Sequence, residues 1–156
     1  MEQSNNAFYQ VTDYLIKTIE EIQLNNTVIF AQSENKDIYK NNIYPLTHIN
    51  PILKPQSLGN GSLSFEFEIG VLNQRISDNT SENTDKLFNN YNLVDNFNVT
   101  SSIINELIST LILNRGGEFT IDNITDANPI YYEDINGLDG WVFSVTISLA
   151  NNVTFC

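Results

Sequence analysis

WVFSVTISL, residues 141–149, decides the fold class of this chain. Trp141, Phe143, Val145, Ile147 and Leu149 alternate with Val142, Ser144, Thr146 and Ser148. A period of two, rich in β-branched and aromatic types, predicts a strand with one buried face. Asp139 and Gly140 read as the turn that opens it, and Asn151-Asn152 as its stop. One other segment matches it in strength: SLSFEFEIGVL, residues 62–72. There Leu63, Phe65, Phe67, Ile69 and Val71 face one way, and Ser62, Ser64, Glu66 and Glu68 the other. The two strands are expected to share a mainly antiparallel sheet with two helices packed on its apolar face, an α+β fold.

The helices are found by a different period. Phe8, Val11, Leu15, Ile19 and Ile22 recur at steps of three and four, which predicts a helix over 6–24. Ser4, Asn5 or Asn6 can cap its start, and Asn25-Asn26 its end. Ile103, Ile104, Leu107, Ile108, Leu111 and Ile112 form a second stripe, predicting a helix over 98–114 that stops at Arg115-Gly116-Gly117.

Shorter strands are expected at 27–32 (TVIFAQ), 118–124 (EFTIDNI) and 127–134 (ANPIYYED). IYPLTHINPI, residues 43–52, reads as extended. Pro45 and Pro51 each remove a backbone donor, so this segment is expected at a sheet edge or a bulge. Residues 33–42 read as a polar loop and 53–61 as a turn-rich connection. Residues 73–92, containing SDNTSENTDK, lack apolar periodicity and read as a polar excursion from a single domain spanning 1–156, expected to be mobile in the isolated monomer, the alternative being an arm ordered by a neighbouring subunit.

Composition limits the function classes. The chain has 156 residues, enough for a core without staples. Nineteen acidic against seven basic residues give a net charge of −12. That balance argues against binding a phosphate backbone or an anionic membrane surface, and fits a basic partner or a surface that must not hold nucleic acid. Asparagine, at about 15% of the chain, is spread along it and not clustered, which reads as AT-rich codon usage. Cys156 is the only cysteine, so no intrachain disulfide can form and a reducing compartment is expected. Residues 1–10 do not resemble a signal peptide, and no apolar run reaches bilayer length. Triplets such as Asn98-Val99-Thr100 are then chance products of an asparagine-rich chain.

Catalytic chemistry finds little purchase. His48 is the only histidine, and a nucleophilic pair would need it beside the terminal Cys156. Asp122, Asp126, Glu133, Asp134 and Asp139 form an acidic stretch, in which residues 134–139 echo part of a calcium loop. The later bidentate glutamate is missing, so a solvated turn is the expectation. Glu66 and Glu68 share a strand face, about 7 Å apart at strand geometry, and read as a polar face turned to water or to another subunit. No catalytic, cofactor or metal site is expected.

Four stretches carry a resemblance. They are the opening helix AFYQVTDYLIKTIEEI with the strand TVIFAQ; IYPLTHIN; SLSFEFEIGVLNQRI followed after a polar loop by NLVDNFNVTSSIINELISTLI; and the ending LDGWVFSVTISLANNVTFC. In order and spacing they resemble the tail-terminator, or head–tail completion, proteins of tailed bacteriophages. The resemblance implies a virion structural protein, not an enzyme. Its copies would form a ring at the head–tail junction or the tail tube end, six-fold or twelve-fold, assembled in the host bacterial cytoplasm. Portal, connector or tail-tube proteins would be its neighbours, with phage DNA passing the lumen without specific binding and no membrane involved. The composition suits an AT-rich phage of the crAss-like type. Loops at 33–42, 77–92 and 126–138 are the expected subunit contacts, because loops carry recognition on a rigid scaffold. The alternative is an acidic adaptor or a module mimicking DNA.

Overall fold

The computed structural model describes residues 7–31, 44–54, 61–75, 93–113, 118–133 and 137–150. Their order is α1 (Ala7–Glu20), β1 (Thr27–Phe30), β2 (Leu46–Ile52), β3 (Ser62–Gln74), α2 (Leu93–Leu113), β4 (Phe119–Ile124), β5 (Asn128–Glu133) and β6 (Leu138–Ala150). The six strands form one sheet in the order β1-β2-β3-β6-β4, with β5 also paired to β6. Every pairing is antiparallel except β1 with β2. The α+β class is therefore observed. The loop expected at 33–42 lies outside the described residues, as do most of the polar excursion and the acidic residue Asp134.

The two long strands pair along their whole length, from Ser62↔Ala150 to Gln74↔Leu138. Phe67, Ile69, Val71, Phe143, Val145 and Ile147 are buried, as the alternation requires. They belong to one cluster with Val11, Leu15 and Ile19 of α1 and Ile103, Leu107 and Leu111 of α2. Each such side chain contributes about 1.5–3 kcal/mol when fully withdrawn from water, so this cluster dominates stability.

Both long strands exceed their predicted bounds. β3 continues through Gln74, and β6 begins at Leu138. Asp139 and Gly140 are thus strand residues and not the opening turn. The turn lies at Gly137, whose φ of 58° places it in the left-handed region that glycine tolerates. Gly140 faces Leu72 in the ladder, and a side chain there would overlap the Val71 carbonyl oxygen.

The edge expectation for the proline-containing strand is overturned. β2 lies inside the sheet, between β1 and β3. The Ala31 N–H donates to the Ile49 carbonyl at 3.1 Å, so Thr47, Ile49 and Pro51 direct their backbone groups towards β1. Pro51 stands where the next donor to β1 would be, and the β1–β2 ladder ends at Phe30↔Ile49. Pairing with β3 uses the alternate residues and continues to Ile52↔Glu66. A proline is tolerated inside the sheet because its missing donor points past the end of the shorter neighbour.

The helix bounds also differ. α1 stops at Glu20, and Ile22 and Asn25 close a tighter turn through N–H bonds to the carbonyls of Ile19 and Ile22. Asn25-Asn26 therefore does not cap α1. Instead Asn25 Oδ1 accepts from Thr47 Oγ1 at 2.8 Å, and the Asn26 N–H donates to the Pro45 carbonyl at 2.9 Å. The pair ties the entry of β1 to β2. α2 begins at Leu93, a turn before the predicted start at Asn98. Part of the reason is tertiary: Asn96 and Phe97 are held by residues of β3, β5 and β6.

Gly140→Ala is expected to destabilise the protein by about 1–3 kcal/mol, because β3 backbone would have to move. Gly70→Ala, where an added Cβ meets nothing within 4 Å, is expected to be close to neutral. Urea denaturation midpoints of the two variants check this contrast.

Candidate functional site

Two polar constellations stand out from the apolar framework. The first lies where β3 ends, β6 begins and α2 starts. Asp139 is fully buried, and its carboxylate takes a forked pair of bonds from Arg75. Arg75 Nε donates to Oδ2 at 2.7 Å and Nη2 to Oδ1. Asn96, in the first turns of α2, donates from Nδ2 to Asp139 Oδ2 at 3.3 Å and to the Gln74 carbonyl at 3.2 Å. Asn73 Nδ2 donates back to Asn96 Oδ1 at 3.0 Å. The Arg75 N–H donates to the Gly137 carbonyl at 2.8 Å. A buried carboxylate is costly unless paired and hydrogen-bonded, and here it is both.

The same corner fixes the start of α2. Trp141 Nε1 donates to the Phe97 carbonyl at 3.2 Å. The Phe97 ring meets Trp141 edge-on at 5.3 Å and Tyr131 at 5.0 Å. Asn96 and Phe97 are thus held by β3, β5 and β6, and Leu93 and Phe97, four apart, carry the apolar face of α2 back to its start.

The second constellation lies on the even-numbered side of the sheet. Asp122, at a bulge in β4, accepts from Ser64 Oγ at 3.4 Å and from Ser148 Oγ. Glu66 pairs with Lys54, and Glu68 accepts from Asn50 Nδ2 at 3.4 Å. Glu66 and Glu68 are each engaged by a neighbour on β2 or just beyond it, as on a polar sheet face.

His48 is buried, at 5% exposure, within β2; Cys156 lies outside the described residues. Asp139 is an ion-pair partner in a strand, so the calcium-loop echo at 134–139 does not describe it. Asp126 is exposed between β4 and β5, and Glu133 pairs in the backbone ladder with Leu138. Among the described residues no group of three histidine, cysteine or acidic side chains could hold a metal ion. Of the loops proposed for contacts, 33–42 and 77–92 lie outside the described residues; most of 126–138 is instead β5 and the start of β6. Sequence reasoning missed the Arg75–Asp139–Asn96 network, whose members are scattered along the chain with no local pattern.

Charge is distributed in a consistent way. The described lysines and arginine are Lys17, Lys54 and Arg75, and each lies against a carboxylate: Asp13, Glu66 and Asp139. The hydrogen bond from Lys17 to Asp13 at 2.5 Å raises the Lys17 pKa above its ordinary value. Among the described residues no helix is long and apolar enough to cross a membrane.

Asp139→Ala is expected to cost about 3 kcal/mol, the lower end for breaking a buried pair, since the Arg75 side chain keeps 21% exposure. Replacing both partners by apolar residues, Arg75→Met with Asp139→Leu, is expected to recover part of that loss. A double-mutant cycle by urea denaturation measures both.

The chain matches no protein-family model and no curated protein.

Proposed function

We propose that this protein is a ring subunit of a tailed-phage virion, placed at the head–tail junction or the end of the tail tube. There it joins portal- or capsid-side proteins to the tail and borders the channel for DNA. The observation that carries this reading is the charge. The net charge is −12, and every described cation is engaged by a carboxylate of the same chain. Such a surface repels phosphates, as a passage for a moving genome requires.

Two further features support it. The four stretches that resemble tail-terminator proteins fall on α1 with β1, on β2, on β3 with α2, and on β6. The shared cluster of α1, α2, β3 and β6 residues supports a two-layer body, with both helices on one face of the sheet. A rigid body of this kind leaves sheet edges to meet identical copies. The role requires no catalytic centre, no cofactor and no membrane.

The alternative, an acidic adaptor or DNA mimic, needs its carboxylates ordered on one face. The described ones are dispersed: Asp13 and Glu20 on α1, Asp95 and Glu106 on α2, Glu66, Glu68 and Asp122 on the sheet.

Negative-stain microscopy and native mass spectrometry of the purified protein test the proposal. Rings of six or twelve copies are expected, with no retention of duplex DNA at low salt. A monomer that persists at high concentration and captures no virion protein overturns it, as does tight DNA binding.

A further inference from the structure

We infer that copies of this chain join edge to edge, with β1 of one subunit pairing antiparallel to β4 of the next. The inference rests on the ring reading above and names the surfaces that would close the ring. Among the described residues no strand pairs with the outer side of β1 or of β4, which lie at opposite ends of the sheet. Open edges are templates for another strand.

Direction, face and charge agree on this pairing. β1 runs with β2, β2 against β3, β3 against β6, and β6 against β4. β1 and β4 therefore run in opposite directions. A copy carried sideways along the sheet brings them together antiparallel, the more stable ladder. The Ala31 bond to Ile49 fixes Thr27, Ile29 and Ala31 as facing β2, so the backbone groups of Val28 and Phe30 point outward.

The side chains also match. Register places Val28 and Phe30 on the same sheet face as Phe119 and Ile121. Phe30 is 37% exposed, and Val28, Phe119 and Ile121 are half-buried, so joining the edges would continue the apolar face across the seam. The bulge between Ile121 and Asn123 confines a regular ladder to the first part of β4, a length that the short β1 suits.

Charge selects the heterologous arrangement. β1 carries no charged residue, whereas Asp122 of β4 and the flanking Glu118 and Asp126 are exposed and acidic. Pairing β4 with another β4 would bring like charges together, and pairing it with β1 does not. A ladder this short is weak alone, but in a closed ring each subunit makes it at both edges.

Cysteine cross-linking in a Cys156→Ser background tests the seam. Chains carrying Phe30→Cys are mixed with chains carrying Phe119→Cys or Ile121→Cys, oxidised, and weighed intact. Disulfide-linked pairs between a β1 and a β4 cysteine are expected, with none between two Phe30→Cys chains. Val28→Pro removes an outward N–H without touching the β1–β2 ladder and is expected to abolish rings, whereas Val28→Ala, which loses the same packing against the core but keeps the N–H, is expected to retain them. Rings that form without β1–β4 cross-links, that survive Val28→Pro undiminished, or that link Phe30→Cys to itself overturn the seam and leave the ring reading standing. Failure of the parent protein to form any ring overturns both.

Discussion

The ladder between β3 and β6 is the constraint on which the rest of the structure depends. Its register runs unbroken from Ser62↔Ala150 to Gln74↔Leu138. A slip of one residue would turn every side chain of one strand to the opposite face. Phe67, Ile69 and Val71 would then leave the cluster they share with the helices, and Glu66 and Glu68 would enter it. At about 1.5–3 kcal/mol for each large apolar side chain, that exchange exceeds any surface ion pair in the molecule. The ladder also fixes what lies to either side: β2 and β1 beyond β3, β4 and β5 beyond β6.

The end of that ladder is held by polar groups. Arg75, Asp139, Asn73 and Asn96 join the last residues of β3, the first of β6 and the start of α2. An apolar contact tolerates sliding, whereas a forked guanidinium–carboxylate pair accepts one geometry. The network therefore aligns the strand ends and the helix start together. Trp141 extends the same function, with its ring in the aromatic group and its N–H on the Phe97 carbonyl.

Local pattern was enough to read both long strands, both helices and the α+β class, because burial on one face writes a period into the sequence. WVFSVTISL and SLSFEFEIGVL are strands for that reason. The stripe from Ile103 to Ile112 placed the start of α2 too late, although Leu93 and Phe97 extend it backwards, and Asn96 and Phe97 are further held by partners on three strands. The inner position of β2 was not legible. Pro51 suggested an edge, and its tolerance depends on where β1 happens to end. The acidic residues were visible as a group, but Asp139 was read beside Asp134 in sequence, while its partner in space is Arg75, just past the end of the other long strand.

By itself, then, the amino-acid order determined which residues avoid water, with what period, and how strongly negative the chain is. Those are properties of single residues and near neighbours. Only tertiary structure decided the strand order, the pairing of Asp139 with Arg75, and which two of the described strands stand at the edges of the sheet. Each of these joins positions distant in the chain, and its free energy exists only once the backbone has brought them together.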